Sequence, residues 1–151
     1  MALNQGRYLP ENPRKYVGNR NNIIYRSGYE KKFFLWADRN PRVMKWGSEE
    51  IIVPYFHQAD QKMRRYFTDA MVKYRKRDDT IVHYLIEIKP YSQTIPPKQP
   101  KKKTTKTNAR FLRETLTYSQ NQNKWEAARA YANKNGMEFV VMTEKELGIK
   151  R

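Results

Sequence analysis

The chain has 151 residues, with 31 Lys and Arg against 15 Asp and Glu, and its formal net charge at pH 7 is +16. This length fits one domain with its own core, and so large a basic excess indicates a polyanionic partner, because solubility alone needs far less charge. Cysteine is absent, no apolar run approaches the ~20 residues of a membrane span, and no glycine-rich phosphate loop is present, which excludes disulfides, thiolate sites, a membrane partner and a nucleotide cofactor.

The N-terminal part of the chain contains an irregular segment followed by a helix. Residues 1–25 show no periodicity and predict a basic irregular arm that precedes a single domain at 26–151. Ser27, with Glu30 three places later and an apolar run behind it, has the pattern of a capped helix start. This helix is expected to stop before Pro41, because the residue before a proline disfavours helical geometry.

The middle of the chain is rich in strand-forming residues. The segment VMKWGSEEIIVPYF predicts a bent or edge strand, because a glycine and a proline interrupt it. Residues 65–75 and 81–90 alternate between apolar and polar side chains, and the turn sequence KRDDT separates them. This arrangement predicts a β-hairpin.

The last third of the chain predicts a loop, a helix and a strand. Residues 91–108 carry three prolines and a lysine cluster and follow Pro90, which is typical of a solvated loop. A long helix is expected at 109–135, because Asn-Gly follows its apolar pattern. The segment MEFVVMT then predicts a short strand, and TEKELGI a final helical turn. The order α-β-β-β-α-β predicts an α/β fold with a central mixed sheet flanked by helices.

Two acids of the hairpin are expected to face each other. If the turn is centred on Asp78, Asp69 lies directly opposite Glu87, with Cβ atoms roughly 5 Å apart. Lys89 shares this face, because side chains on a strand repeat every second residue. A slip of one residue would place the two acids on opposite faces of the sheet.

A facing carboxylate pair repels itself unless one group is protonated or a cation lies between them. Oxygen ligands without cysteine or paired histidines favour Mg²⁺ or Mn²⁺, and such an ion activates water and stabilises the leaving oxygen in phosphodiester hydrolysis. Lys89 would orient or deprotonate the water. The pattern alone also fits an ordinary ion pair between Lys89 and Glu87 or Asp69 on a solvated hairpin face.

The order of these elements and residues resembles the PD-(D/E)XK nuclease superfamily over residues 26 to about 147. The resemblance is carried by RSGYE, by the TD that ends one strand, and by EIK on the next strand. Together with KWEAARAYANKNGMEFVVMTEKEL, these segments are similar to the head completion nucleases of T-even type tailed phages and, more distantly, to the nuclease subunits of heteromeric transposases.

The resemblance implies a restriction-endonuclease-like core and assigns roles to its residues. Asp69, Glu87 and the carbonyl of Ile88 would bind the metal, and Lys89 would assist the attacking water. Glu30 would complete the catalytic cluster from the first helix, although it also fits a capping box that satisfies the backbone N–H of Ser27.

Two further observations concern the surroundings of this site. Thr68 stands where the family has a proline before the first strand acid, a departure that affects backbone geometry rather than chemistry. Gln120 and Lys124 lie one helical turn apart on the predicted long helix, so they either reach the site or form part of a solvated face.

Basic residues near the site are candidates for DNA binding, because phosphate contacts dominate the affinity of proteins for DNA. No base-reading motif is present, so we expect little sequence preference. The candidates are Lys62, Arg64 and Arg65 before the first acid, and Lys98, Lys101, Lys102, Lys103, Lys106 and Arg110 after Lys89.

The sequence therefore predicts a Mg²⁺- or Mn²⁺-dependent DNA endonuclease. From the resemblance, it would trim packaged phage DNA ends during head completion, in the virion or in the host cytoplasm during assembly, beside head, portal or neck proteins. One alternative is a head or neck structural protein that binds DNA without cutting it. Another is a basic RNA- or DNA-binding module, which the lack of a stacking motif disfavours.

Overall fold

The computed structural model describes residues 5–148. Residues 1–4 of the predicted arm, and the last three residues of the chain, lie outside this range. In chain order the elements are β1 (Gly6–Arg7), a 3-10 turn (Pro13–Lys15), β2 (Ile24–Tyr25), α1 (Gly28–Arg39), β3 (Val43–Ser48), β4 (Ile52–His57), β5 (Lys62–Phe67), β6 (Ala70–Arg75), β7 (Ile81–Ile88), a second 3-10 turn (Tyr91–Gln93), α2 (Thr105–Lys134), β8 (Glu138–Met142) and α3 (Glu144–Leu147).

The central sheet has four strands in the order β3-β6-β7-β8. The first two pairings are antiparallel, whereas β7 and β8 are parallel and are joined through α2. The predicted α/β class with a central mixed sheet is confirmed. Five strands, rather than the predicted three, lie between α1 and α2, because β4 and β5 form a separate two-stranded hairpin. Among residues 5–148, no helix has the length and apolar composition to cross a bilayer.

Each face of the central sheet packs against a different helix, and β7 shows how the sequence achieves this. Ile86 and Ile88 lie in the cluster that contains the apolar residues of α1. Leu85 lies in the cluster that contains Trp125 and Ala128 of α2. Since side chains alternate along a strand, Glu87 shares the α2 face with Leu85.

The helix ends follow local capping rules. The Ser27 hydroxyl accepts a hydrogen bond from the backbone N–H of Glu30 at 3.1 Å, and α1 ends before Pro41 as predicted. Helix α2 begins at Thr105, four residues earlier than predicted, because Thr104 and Thr107 form a reciprocal capping box. Gly136 follows this helix in a left-handed conformation, with φ of 68°, which glycine adopts without strain.

The predicted strand at 65–75 is wrong, because the chain changes its pairing partners at Thr68 and Asp69. Strand β5 pairs with β4, whereas β6 pairs with β3 and β7. The backbone N–H of Thr68 donates to the carbonyl of Ile51 at 3.2 Å, and its hydroxyl donates to the same carbonyl at 2.8 Å. A proline at position 68 would lack the first of these bonds.

A β-bulge lies at this change of partners. Ser48 pairs with Ala70 and Ile52 pairs with Phe67, so three residues of one strand face two of the other. Glu49 absorbs the extra residue with φ of 57°, and its N–H donates to the Asp69 carbonyl at 3.1 Å. Bulges bend and twist a strand locally, and this one bends the ribbon next to Asp69.

The segment predicted as an irregular arm packs against the core over its described part, residues 5–25. Tyr8, Tyr16 and Ile23 are buried together with the apolar residues of α1 and β3. Asp38, which is fully buried on α1, fixes this segment. Its carboxylate accepts hydrogen bonds from the Tyr8 hydroxyl at 2.6 Å and from the N–H groups of Glu11 and Asn12 at 2.7 and 3.0 Å.

The ionised form of Asp38 is favoured in the folded protein. Burial opposes its ionisation, but the hydrogen bonds from Tyr8, Glu11 and Asn12 outweigh burial and hold the pKa of Asp38 below its ordinary value. A lowered pKa means that the carboxylate contributes stability above the unfolded pKa, and that this contribution is lost as the pH falls through the folded pKa.

We expect Asp38→Ala to lower the free energy of unfolding by about 3 kcal/mol, because it strands several buried donors. Asp38→Asn should lower it less, because the amide oxygen still accepts. Urea denaturation at pH 7 measures both, with Glu126→Ala on the exposed side of α2 as the control. A loss below about 0.5 kcal/mol for Asp38→Ala, the size of an ordinary surface effect, would contradict this role.

Candidate active site

The predicted register of the hairpin is observed, and the ladder ends one residue before Asp69. Ala70 pairs with Ile86 and Met71 with Leu85, and the same register continued by one residue brings Asp69 opposite Glu87. The turn between the two strands closes through a bond from the Lys76 N–H to the Thr80 carbonyl at 2.8 Å. Asp79 in this turn has φ of 66°, as in a three-residue hairpin loop.

Glu87 is the most enclosed acid of the site, with 6% of the residue exposed. The Tyr66 hydroxyl donates a hydrogen bond to its Oε2. The Lys89 Nζ lies 3.7 Å from its Oε1. Burial raises the pKa of Glu87, and the Tyr66 hydroxyl, Lys89 and Lys124 lower it without cancelling the effect of burial.

Asp69 lies at the bend of the ribbon and is largely enclosed. Burial and the charge of Glu87 raise its pKa well above the ordinary value, while the Ile88 N–H, which donates to Asp69 Oδ2 at 2.7 Å, favours its ionised form. The two carboxyl groups affect each other's pKa, as expected for neighbouring acids. Such a pair holds a proton unless a cation takes its place.

Tyr66 and Lys124 complete the wall behind Glu87. Tyr66 is 5% exposed, and burial together with the Glu87 charge raises its pKa, so its hydroxyl stays a donor. The Lys124 Nζ lies 5.7 Å from the centre of the Tyr66 ring. Of the two residues predicted on α2, Lys124 therefore reaches the site, whereas the Gln120 amide donates to the Tyr55 hydroxyl at 3.4 Å.

Glu30 lies in the first turn of α1, and its charge raises the pKa of Asp69. Its Oε2 accepts a hydrogen bond from the N–H of Arg26, not from the predicted N–H of Ser27. Burial raises its pKa, and the charges of Glu49 and Glu87 raise it further. Glu49 forms an ion pair with Arg26 beside Glu30.

The donors fit a metal ion that keeps several water ligands. Within residues 5–148, no three His, Asp or Glu side chains are grouped closely enough to form a complete metal cage. The enclosed Asp69–Glu87 pair fits Mg²⁺ in ligand type and number, because this ion is usually held by one or two carboxylates while water and phosphate oxygens fill the remaining positions. Ile88 contributes its N–H to Asp69, and its side chain is buried against α1.

The three predicted cations before Asp69 do not share one face. They lie on β5, where Lys62 and Arg64 alternate with Arg65. Arg64 forms an ion pair with Asp60, and the Arg65 guanidinium packs over the Phe67 ring at 5.6 Å. Lys62 and Arg64 point to the same side as Tyr66, and Arg65 points to the opposite side.

The predicted basic loop divides into two parts. Residues 94–104 have no helix or strand, and they carry the exposed Lys98, Lys101, Lys102 and Lys103. Lys106 and Arg110 belong instead to the exposed first turns of α2. Arg110 Nε lies 2.8 Å from Glu114 Oε1, so part of its charge is already paired.

Sequence reasoning missed Tyr66 and Glu49 as neighbours of the acids. Tyr66 precedes Asp69 by three residues, and only the change of pairing partners at Thr68 brings it behind Glu87. Glu49 is separated from Asp69 by 20 positions and approaches it through the bulge. Neither residue carries a local signal, because both are placed by contacts between distant segments.

The arrangement is that of a small acidic centre with a lysine, set on adjacent strands of a mixed sheet. A sequence profile described as TnsA-like endonuclease N terminal matches residues 40–144, and the chain belongs to this family of nucleases. The chain is also 43% identical over 148 residues to the head completion nuclease of Enterobacteria phage T4, and the match covers 96% of this chain and 96% of that protein.

We expect Asp69→Asn to stabilise the metal-free protein by about 1 kcal/mol at neutral pH, because it removes the repulsion between two enclosed carboxylates. The raised pKa favours protonated Asp69 in the folded state, so this group's contribution is complete below about pH 4 and is lost as the pH rises through the folded pKa. The gain should therefore grow with pH. Chemical denaturation in chelator from pH 4 to pH 8 measures it.

The matched control is Asp79→Asn in the hairpin turn, where the side chain is 82% exposed. Asparagine tolerates the left-handed conformation at this position, so its stability should not change. Mg²⁺ should stabilise the wild type more than Asp69→Asn, because a ligand stabilises the state that binds it. A gain that does not change with pH would contradict the repulsion.

Proposed function

We propose that the chain is a divalent-metal-dependent endodeoxyribonuclease with a restriction-endonuclease-like PD-(D/E)XK centre. The observation that carries this proposal is the enclosed Asp69–Glu87 pair with the Lys89 ammonium 3.7 Å from Glu87. Membership of a nuclease family supports the reaction class. The carboxylate pair supports metal dependence, because its repulsion is relieved by a dication.

Asp69 and Glu87, with the Ile88 carbonyl, are the groups that would hold Mg²⁺ or Mn²⁺. When bound, the ion polarises the phosphoryl oxygen, generates a nucleophile from water and stabilises the leaving oxygen. Tyr66 fixes the orientation of Glu87 by donating to Oε2, which leaves Oε1 facing Lys89. The Ile88 N–H fixes Asp69 in the same way.

Lys89 is the residue that would orient the attacking water and offset the charge that develops on phosphate. Its side chain is 27% exposed, so it contacts both Glu87 and the solvent from which the water and substrate arrive. Its position is set by the backbone, because the Lys89 N–H donates to the Met142 carbonyl on β8 at 3.0 Å. Glu30 would tune this centre through its charge.

The proposed substrate is DNA, held through its phosphates with little sequence preference. The net charge of +16 and the exposed lysines at 98–103 support this interpretation. The name of the relative from phage T4 supports a role at head completion. We therefore propose that the chain processes DNA ends during phage head completion, in the virion or in the host cytoplasm, beside head, portal or neck proteins.

Purified protein should cut linear and circular DNA with Mg²⁺ or Mn²⁺ and lose this activity in chelator. Asp69→Asn, Glu87→Gln and Lys89→Ala should each lower the cleavage rate by about 100-fold or more, as expected for groups acting at the reacting phosphate. The rate is measured on gels under single-turnover conditions. Asp79→Asn and Lys76→Ala, at the other end of the hairpin, are matched controls and should keep full activity.

If the wild type binds DNA but does not cut it with either metal, the enzyme proposal is wrong. That result would favour the alternative of a structural DNA-binding protein of the phage head or neck. Activity that survives in Asp69→Asn would instead place the reaction elsewhere in the chain.

Replacing Lys98, Lys101, Lys102 and Lys103 with Gln should weaken DNA binding and reduce its dependence on salt. The slope of log K against log salt should become shallower by about 0.9 for each phosphate contact removed. Titrations of duplex DNA in chelator at several salt concentrations measure the slope. Lys76→Gln with Arg77→Gln is the control, and an unchanged slope in the four-lysine variant would exclude the loop from the interface.

A further inference from the structure

A groove of about 630 Å³ opens between the segment that follows Lys89 and the N-terminal half of α2. Ser92 and Gln93 line one wall, and Arg110, Arg113, Tyr118 and Asn121 line the other. This volume is typical of pockets that hold a drug-sized molecule, so the groove fits nucleotides of one strand and not a duplex.

Both walls of the groove are close in sequence to residues of the candidate active site. Ser92 follows Lys89 by three residues, and Asn121 precedes Lys124 by about one helical turn. The first wall is fixed at its base, because the Tyr91 N–H donates to the buried Glu144 carboxylate at 3.1 Å. A strand bound at the acids would therefore enter the groove directly.

Asn121 is a polar side chain that lines the groove from the core-facing side of α2. It is 6% exposed and occupies the same face of α2 as the core residues Trp125, Ala128 and Ala132. None of the side-chain hydrogen bonds found among residues 5–148 involves its amide. Within residues 5–148 the buried side-chain atoms that lack a partner are the indole nitrogens of Trp46 and Trp125, so the amide of Asn121 is open to the groove, where it can donate to or accept from a ligand.

The neighbours of Asn121 have the chemistry of a nucleotide site. Arg113 forms no ion pair with the part of the chain that the structure describes, whereas the charge of Glu114 is offset by Arg110 at 2.8 Å. Tyr118 is half-buried and offers an aromatic ring beside the amide. Such a ring can stack on an unpaired base, and an amide can donate to or accept from any base edge.

We propose that this groove binds a single strand of DNA next to the bond that is cut. Arg113 binds a phosphate, Tyr118 stacks on an unpaired base, and Asn121 hydrogen-bonds to the edge of that base. The proposal rests on the proposed nuclease function and adds that the preferred substrate carries an unpaired tail. The contacts are tolerant of sequence, because stacking and amide pairing suit every base.

The test compares a blunt duplex with the same duplex carrying a single-stranded tail. Binding is measured by fluorescence anisotropy in chelator, so that no cleavage occurs. Tyr118→Leu should weaken binding of the tailed DNA roughly 5-fold to 100-fold, as for the loss of one stacked base, and change blunt-duplex binding less than about 2-fold. Tyr118→Phe, which keeps the ring, should bind as the wild type does.

Two further variants test the other contacts. Asn121→Leu keeps the volume of the side chain but removes the amide, and Arg113→Gln removes the charge, so both should weaken tailed-DNA binding selectively. Arg77→Gln, in the turn at the far end of the β6–β7 hairpin, is the control. Thermal unfolding of each variant checks that the fold is kept.

The proposal is overturned if Tyr118→Leu binds tailed DNA as tightly as the wild type, or if it weakens both DNAs alike. The first result would leave the groove to another occupant, such as a peptide segment of a partner. Because these measurements need no cleavage, an inactive wild type with tail-selective losses would contradict the nuclease function and keep the groove. An active wild type without such losses would support the nuclease function and contradict the role of the groove.

Discussion

The mutual repulsion of Asp69 and Glu87 is the constraint around which the rest of the site is arranged. The hairpin register brings the two acids together. Burial on the α2 face removes the water that would otherwise screen their charges. The Tyr66 hydroxyl and the ammonium groups of Lys89 and Lys124 offset part of the charge on Glu87, yet its pKa stays raised. The folded chain therefore contains an enclosed carboxylate pair whose negative charge its neighbours offset only in part, which is an electrostatic condition that favours a dication.

The β4–β5 hairpin, which the sequence did not reveal, has a clear purpose in this arrangement. Strand β4 packs against α2, and Tyr66 on β5 is held between that helix and Glu87. The hairpin can lie there because the ribbon bends at the bulge formed by 49–51 and 68–69. The same bend ends the strand pairing at Asp69, so Asp69 lies outside the ladder. It also places Tyr66 against Glu87.

Short sequence patterns predicted the features that depend on interactions between nearby residues. The Ser27 cap, the stop before Pro41 and the register around Asp78 follow from short-range hydrogen bonds and from strand alternation, and all three are observed. The break at Thr68 was missed because the alternation runs through it without glycine or proline, and the break depends on the distant carbonyl of Ile51. The packing of residues 5–25 was missed for a similar reason, because a single buried carboxylate, Asp38, anchors a segment without periodicity.

Helix α2 connects the core, the acids and the groove along one face. Its 30 residues span about 45 Å at 1.5 Å per residue, far more than the sheet can cover. Along that face the side chains change from Ala132 and Trp125, which pack on the sheet, to Asn121 and Tyr118, which line the groove. The change falls where Lys124 approaches Glu87, so the helix leaves the core close to the two acids. The part of α2 beyond the core is stabilised little by packing, and a bound strand would supply the contacts that the sheet supplies to the rest of the helix.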